Sequence, residues 1–188
     1  MSNLNTQPLA QVFFEIFQED FGREIEARKS ELLPIWKDSA RWTELMLGPT
    51  GFLSKVATAW ASRTSNEQCA SKNEWHKFDL MLVSTTGGQE WWQSVPLLTI
   101  EHENGDHIQD EVWKLACWRS RLKVLITYHN EHGHEERKRL LSAEIIRNVQ
   151  STYDDERTEW LLLSASRTWK DRMDWSGHEW QDGGWRRL

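Results

Sequence analysis

The alternation of apolar and polar residues divides the chain into a helical first third and a middle section of short strands. Within residues 8–28, apolar side chains recur at spacings of three and four, which places them on one side of a helix. This apolar stripe consists of Phe13, Phe14, Phe17, Phe21 and Ile25. We therefore predict that the first segment is an amphipathic helix packed against a core.

Two further helices are predicted before the first strand. One covers residues 31–47, has Pro34 near its first turn and ends at the Gly/Pro-rich segment 48–51. The other is short and covers residues 52–62. Residues 63–74 are polar and predict a loop.

Beyond residue 75 the pattern changes to short apolar runs separated by turn signals, which is typical of strands. A strand is predicted over 78–83, a turn over 85–88 and the start of a returning strand at 90–93. The next predicted elements are a strand over 95–103, a helix to about residue 120 capped by Asp106 or Asp110, a strand over 122–128, a helix over 135–151 and a strand over 160–164. The tail from 168 to 188 contains four Trp and little periodicity, and we expect it to pack over the sheet and loops.

This order predicts an α/β fold with a central mixed β-sheet flanked by helices, because a helix that joins two strands indicates a parallel crossover. The length suits one domain over residues 1–188. We divide it into a helical part at 8–62, a core at 75–128 and a C-terminal helix, strand and Trp-rich tail at 135–188.

Composition narrows the class of protein. The net charge is −6, from 23 basic and 29 acidic residues, which argues against a passive nucleic-acid coat. The sequence contains neither a bilayer-length apolar run nor a signal-peptide pattern, and two cysteines do not suggest a disulfide framework. We expect a cytoplasmic protein without a membrane partner, whose 13 Trp serve mainly in packing.

Acidic residues at the ends of predicted strands are the candidate metal-binding and catalytic groups. Side chains alternate along a strand, so Glu101 and Glu103 point to one face and His102 to the other. If strand 78–83 pairs with the strand that ends at Glu103, then Asp79 can reach Glu101. Two carboxylates with a main-chain carbonyl, that of His102, suit Mg²⁺, with Mn²⁺ as a substitute.

These residues resemble the PD-(D/E)xK nuclease superfamily, which includes restriction endonucleases, over roughly residues 75–128. The shared pattern is an Asp opening an apolar strand, a Glu ending the next, and then a helix and a strand. The resemblance implies an αβββαβ core and Mg²⁺-dependent hydrolysis of DNA phosphodiesters. Asp79 and Glu101 would bind the metal ion. Restriction enzymes of this type are often homodimers, which the sequence leaves open.

The resemblance leaves two candidates for the residue that activates the attacking water. Most members have Lys two positions after the metal-binding Glu, whereas this chain has Glu103. Either Glu103 takes that role, as in some members, or the basic role has moved to Lys114 on the following helix. An acidic residue of the first helix, Glu15 or Glu19, would complete the metal shell, as it does in parts of the family.

Several interpretations compete with this one. Glu101 could form a buried ion pair with Lys114 or an arginine, and Glu103 could be solvated. The chain could also be a nuclease-like binding or regulatory module without catalysis, or a hydrolase of another polar substrate. The basic residues Arg137, Lys138, Arg139 and Arg147, and likewise Arg119, Arg121 and Lys123, predict either solvated surfaces or phosphate contacts.

Overall fold

The protein is described by a computed structural model over residues 7–75, 78–86, 96–104, 107–129, 134–153, 157–166 and 173–188. The α-helices in these ranges are α1 (Leu9–Asp20), α2 (Lys29–Trp36), α3 (Ser39–Leu47), α4 (Phe52–Thr64), α5 (Ile108–Ala116) and α6 (His134–Tyr153). The strands are β1 (Cys69–Trp75), β2 (Phe78–Ser84), β3 (Leu98–Glu103), β4 (Leu122–His129), β5 (Glu159–Ser166), β6 (Trp175–Gln181) and β7 (Gly184–Arg187).

All seven of these strands form one mixed sheet in which each strand lies beside its neighbours in the chain. The central strands β3, β4 and β5 are parallel, and the outer pairs are antiparallel. Helix α5 connects β3 to β4 and helix α6 connects β4 to β5, since a parallel pair requires a crossover. The predicted α/β class, with a mixed sheet flanked by helices, is confirmed.

Helices α1 to α4 contribute to the larger core, on one face of the sheet. Every member of the predicted apolar stripe of the first helix is buried there. The sheet supplies alternate residues to this core, among them Leu80, Ile100, Val124 and Leu161. Burial of this apolar stripe stabilises the helix far more than its intrinsic propensity does.

Helices α5 and α6 cover the opposite face and enclose the second core. Val112 and Leu115 of α5 and Ile146 of α6 pack there with Leu125 and Leu162 of the sheet. Glu101 pairs in register with Leu125 on the neighbouring strand. Because register partners point to the same side of a sheet, Glu101 lies beneath α5.

The first helical region differs in detail from the prediction. The helix predicted over 8–28 is α1 continued by a π-helical turn, Phe21–Ile25, and a 3₁₀ turn, Glu26–Arg28. The helix predicted over 31–47 is two helices, α2 and α3, because Asp38 caps α3 by accepting a hydrogen bond from the Arg41 N–H. Within the described ranges, every helix is too short or too polar to span a bilayer.

Two strand regions were predicted wrongly. The segment assigned to a loop contains β1, a polar edge strand that is held by antiparallel pairing with β2. The tail forms the β6–β7 hairpin, whose turn residues Asp182 and Gly183 both have positive φ, 51° and 75°. An Asp-Gly pair in such a turn is a known hairpin signal. The strand start predicted at 90–93 and the predicted cap at Asp106 lie outside the described residues. Helix α5 ends at Ala116, whereas the prediction placed its end near residue 120.

Candidate functional site

The antiparallel pairing of β2 and β3 brings Asp79 to the strand end that carries Glu101. Leu80 lies opposite Ile100 in the register, so the residues next to them in the chain are neighbours as well. The His102 N–H donates a hydrogen bond of 2.6 Å to Asp79 Oδ2. This bond fixes the Asp79 carboxyl group at the carboxyl end of β3.

Glu101 is fully buried, with 0% of its surface exposed. Its Oε2 accepts a hydrogen bond of 3.1 Å from Lys114 Nζ on α5. Its Oε1 is also buried and has no hydrogen-bond partner among the described residues. A buried carboxyl oxygen without a partner is costly, so Oε1 marks a place where a ligand would be stabilised.

Glu111 is a site residue that our sequence analysis did not select. It lies three positions before Lys114 on α5 and pairs with the Lys114 ammonium. Residues at i and i+3 share a helix face, and this face of α5 is directed at Glu101. That spacing is the signal that could have identified Glu111 once Lys114 had been selected.

The cluster therefore holds three carboxyl groups against one ammonium group. Burial raises the pKa of Glu101 to about 10; hydrogen bonding to Glu111 and the charges of Asp79 and Glu111 contribute as well, and Lys114 opposes them. The Glu111 and Asp79 carboxyl groups are acceptors, so they can share a hydrogen bond with Glu101 only when one group is protonated. A proton on Glu101 relieves the repulsion, and a bound cation would do the same.

The pKa values of the two flanking groups reflect the same crowding. Burial raises the pKa of Asp79 and the charge of Glu111 adds to the effect, whereas the His102 N–H and Lys114 oppose it. Burial alone would lower the pKa of the Lys114 ammonium, but its bonds and charge interactions with Glu111 and Glu101 outweigh burial and raise the pKa. Lys114 is thus held in the charged form.

In the described part of the chain, no three acidic, histidine or cysteine side chains are arranged as a preformed metal centre. Lys114 Nζ already lies between Glu101 and Glu111, where it serves as the counter-charge. Its side chain is 32% exposed, so part of the side chain reaches solvent. The carboxylate cluster, defined as Asp79, Glu101 and Glu111, suits a hard cation by its oxygen donors and its excess negative charge.

The His102 side chain points away from the carboxylate cluster, as strand alternation predicts. Its Nε2 lies 2.8 Å from the Tyr128 hydroxyl, and Trp42 Nε1 donates a hydrogen bond of 2.9 Å to the same hydroxyl. Burial lowers the pKa of His102 to about 3, so the ring is neutral at ordinary pH. Contact with the cluster is made by the His102 main chain, whose carbonyl stays a predicted ligand.

Glu103 ends β3 on the same side as Glu101 and is half-buried. Its register partner on β4 is Thr127, whose Oγ1 accepts a hydrogen bond of 2.9 Å from Lys138. Lys138 also donates to the Tyr128 carbonyl and is only 7% exposed. The prediction that Lys138 belongs to a solvated or phosphate-contacting helix face is therefore wrong, because its ammonium group binds the end of β4.

The first-helix glutamates lie elsewhere. Glu15 accepts hydrogen bonds from Gln7 and Gln11, and Glu19 pairs with Arg63 at 3.6 Å. Helix α1 packs on the face of the sheet opposite α5. The structure therefore does not bring Glu15 or Glu19 to the carboxylate cluster.

Comparison of the chain with protein families, curated proteins and solved structures found no match. The carboxylate cluster and its neighbour Lys114 are thus the features of this chain on which a functional assignment rests.

Proposed function

We propose that the protein is a metal-dependent DNA endonuclease of the PD-(D/E)xK type. The observation that carries this proposal is the buried Oε1 of Glu101, which lies among the Asp79, Glu111 and Lys114 side chains and, unless a carboxyl group of the cluster is protonated, has no hydrogen-bond partner among the described residues. A charged carboxylate that is placed this way is costly, so Glu101 needs either a proton or a cation. Binding of a divalent cation at Oε1 would compensate for that cost.

The order of elements supports the proposal. Helix α4 is followed by β1, β2, β3, α5 and β4, which matches an αβββαβ core. The Asp lies at the start of the second of these strands and the Glu lies in the third. In this proposal Lys114, on the helix between β3 and β4, takes the role of the lysine that most members carry on the strand.

The roles follow from the positions. Asp79 and Glu101 would hold the ion. Glu111, which also neighbours Glu101, would either be a third ligand or adjust the charge around the ion. When bound, Mg²⁺ would polarise a phosphoryl oxygen and lower the pKa of water. Lys114, which is held protonated, stabilises negative charge on the phosphate, and Glu103 at the strand end orients the attacking water.

The donor chemistry favours Mg²⁺ or Mn²⁺ over Zn²⁺. The cluster offers carboxylate oxygens, which hard cations prefer. The imidazole of His102 is turned to the other face and bonds Tyr128. A softer metal would lack a nitrogen or sulfur ligand from that residue.

A structural ion pair is the competing interpretation. Lys114 bonds Glu101 directly, and such a pair would suit a nuclease-like module without catalysis. The partial exposure of the Lys114 side chain supports the catalytic interpretation, since a side chain that reaches solvent can move away from Glu101 when a divalent cation arrives. A structural pair would instead resist metal at ordinary concentrations.

Plasmid cleavage tests the proposal. Supercoiled DNA is incubated with the protein and Mg²⁺ or Mn²⁺, and nicked and linear products are measured. Asp79→Asn, Glu101→Gln and Lys114→Met are each expected to slow cleavage by about 100-fold or more, because each removes a group that acts on the reacting phosphate. Glu144→Gln, an exposed change on α6, is the matched control and should leave the rate unaltered.

Calorimetric titration with Mn²⁺ supplies an independent measurement. The wild-type protein should bind the ion, and Glu101→Gln should not. Cleavage at the wild-type rate in Asp79→Asn or Glu101→Gln would overturn the assignment. A wild-type protein that neither binds Mn²⁺ nor cleaves DNA would favour the module without catalysis.

A further inference from the structure

A pocket of about 590 Å³ lies at the amino ends of the central strands β4 and β5. The carboxylate cluster lies near the opposite, carboxyl end of the neighbouring strand β3. The lining of the pocket includes three arginines, Arg119, Arg121 and Arg157, together with Gln7, Thr158 and Glu159. None of these residues belongs to the proposed nuclease site. We call this feature the arginine pocket.

Backbone pairing explains why the arginines meet. The Glu159 N–H donates a hydrogen bond of 2.9 Å to the Arg121 carbonyl, which joins the segments that precede β4 and β5. The Thr158 hydroxyl also donates to the Ser120 carbonyl, at 3.2 Å. The two segments are therefore tied side by side, and these bonds bring the backbone of Arg121 close to that of Arg157.

Among its described lining residues, the arginine pocket has three arginines and one carboxylate, that of Glu159. Both Arg119 and Arg121 are exposed, and within the described residues neither side chain forms an ion pair or a hydrogen bond. Elsewhere the acidic surface of this chain supplies partners for arginine: Arg23, Arg28, Arg63 and Arg139 each pair with a carboxylate. A protein of net charge −6 thus places in one pocket two guanidinium groups that have no partner among the described residues.

The Glu159 carboxylate in the pocket is bonded to another part of the chain. Glu159 Oε2 accepts a hydrogen bond of 2.9 Å from the Ala10 N–H in the first turn of α1. Its negative charge is therefore matched to the positive end of that helix. The guanidinium groups repel one another, and an anionic ligand would relieve that repulsion.

We propose that the arginine pocket binds a ligand through its phosphate groups. Guanidinium groups donate paired, planar hydrogen bonds that match phosphate oxygens, and several arginines together favour a ligand with more than one negative charge. The volume lies within the range of small-molecule sites, roughly 300–1,000 Å³. The phosphates belong either to a free polyphosphate compound, such as a nucleotide, or to the backbone of a nucleic acid.

Binding experiments with two probes test the proposal and distinguish the sources. Inorganic tripolyphosphate is titrated by calorimetry, and a short fluorescent single-stranded oligonucleotide by anisotropy, both at low salt with a chelator present so that the carboxylate cluster holds no metal. Arg119→Gln combined with Arg121→Gln should weaken the binding of at least one probe by about tenfold or more. Loss confined to tripolyphosphate indicates a free ligand, and loss confined to the oligonucleotide indicates a nucleic-acid backbone.

The control removes the same charge from another surface. Lys37→Gln combined with Arg41→Gln changes two exposed cations that lie outside the arginine pocket, and should leave binding unchanged. Replacement of both pocket arginines by Lys keeps the charge and removes the planar donors, so an intermediate loss is expected. Wild-type binding of both probes by the Gln pair, or an equal loss in the control pair, would overturn the proposal.

Discussion

The Glu101 carboxyl group couples the stability of the protein to pH. Its pKa is raised to about 10 by burial and by the neighbouring carboxyl groups. Between the ordinary pKa of glutamate and this value, the native protein holds a proton that the unfolded chain has lost. The free energy of unfolding contributed by this group is therefore fully present below the ordinary pKa and is lost as the pH rises towards 10.

Glu101→Gln tests this linkage, because glutamine is neutral at every pH. As the pH rises from 5 to 9, the stability of the variant relative to wild type should increase, by at most about 1.4 kcal/mol per pH unit. Urea unfolding at several pH values, with a chelator present, measures this difference. A difference that does not depend on pH would show that Glu101 is ionised in the native state.

The Tyr128 hydroxyl joins two buried side chains, Trp42 and His102, behind the carboxylate cluster. Tyr128→Phe removes the hydroxyl and leaves the indole N–H of Trp42 without its acceptor. We expect a loss of about 1–3 kcal/mol in the free energy of unfolding, measured by chemical denaturation. Ser62→Ala, which removes an exposed helical hydroxyl, is the control; an equal loss in both variants would contradict a special role for Tyr128.

At the level of elements, helix α5 has an apolar side and a charged side. One side of the helix buries Val112 and Leu115 against the sheet, and the neighbouring side presents Glu111 and Lys114 to Glu101. Trp113 points outward and is 53% exposed. Because the apolar contacts fix the rotation of the helix, they also fix the position of the Lys114 ammonium group.

Strand β6 approaches α1 closely at Gly177. A Cβ atom at this position would lie 2.9 Å from ring atoms of Phe14, which is buried in the larger core. Gly177→Ala should therefore force β6 and α1 apart and lower stability by about 1–3 kcal/mol. Thermal unfolding measures the effect.

Gly184→Ala is the matched control in the same hairpin, since no atom lies within 4 Å of a Cβ there. Its stability should stay within about 0.5 kcal/mol of wild type. If the two alanine variants unfold at the same temperature, β6 does not pack closely on α1 at Gly177.

On the scale of the whole molecule, the two proposed sites lie at opposite ends of the central strands of one sheet. The carboxylate cluster draws on β2, β3 and α5, which are far apart in the chain, and the arginine pocket draws on the segments before β4 and β5. A cation that binds the cluster contacts only the folded arrangement. Its binding energy therefore adds to the global stability of the protein.

Mn²⁺ at about 100 times its dissociation constant should stabilise the wild-type protein by about 2.7 kcal/mol, or roughly 5 to 10 °C in Tm. At one fixed Mn²⁺ concentration, the increase should be larger at pH 9 than at pH 6, because the ion competes with the proton on Glu101. Differential scanning calorimetry of wild type and Asp79→Ala checks this expectation. A Tm increase of equal size in Asp79→Ala would place the ion elsewhere.

Local patterns were sufficient for much of the architecture. The apolar stripe of the first helix and the short apolar runs at β2, β3, β4 and β5 are signals within a few residues, and each run became a buried element. The same signals identified Asp79, Glu101 and Lys114 as residues at element ends or on the helix between strands. Alternation along β3 also predicted that the His102 side chain turns away from Glu101.

Other features arise only when distant segments meet. Strand β1 is polar and is stabilised by its pairing with β2, and the burial of Lys138 depends on acceptors at the end of β4. The pairing of Glu111 with Lys114 beside Glu101 likewise needed the rotation of α5 on the sheet. Periodicity records what one element buries, whereas register, helix rotation and the partners of a charge are set by contacts between elements that are remote in the chain.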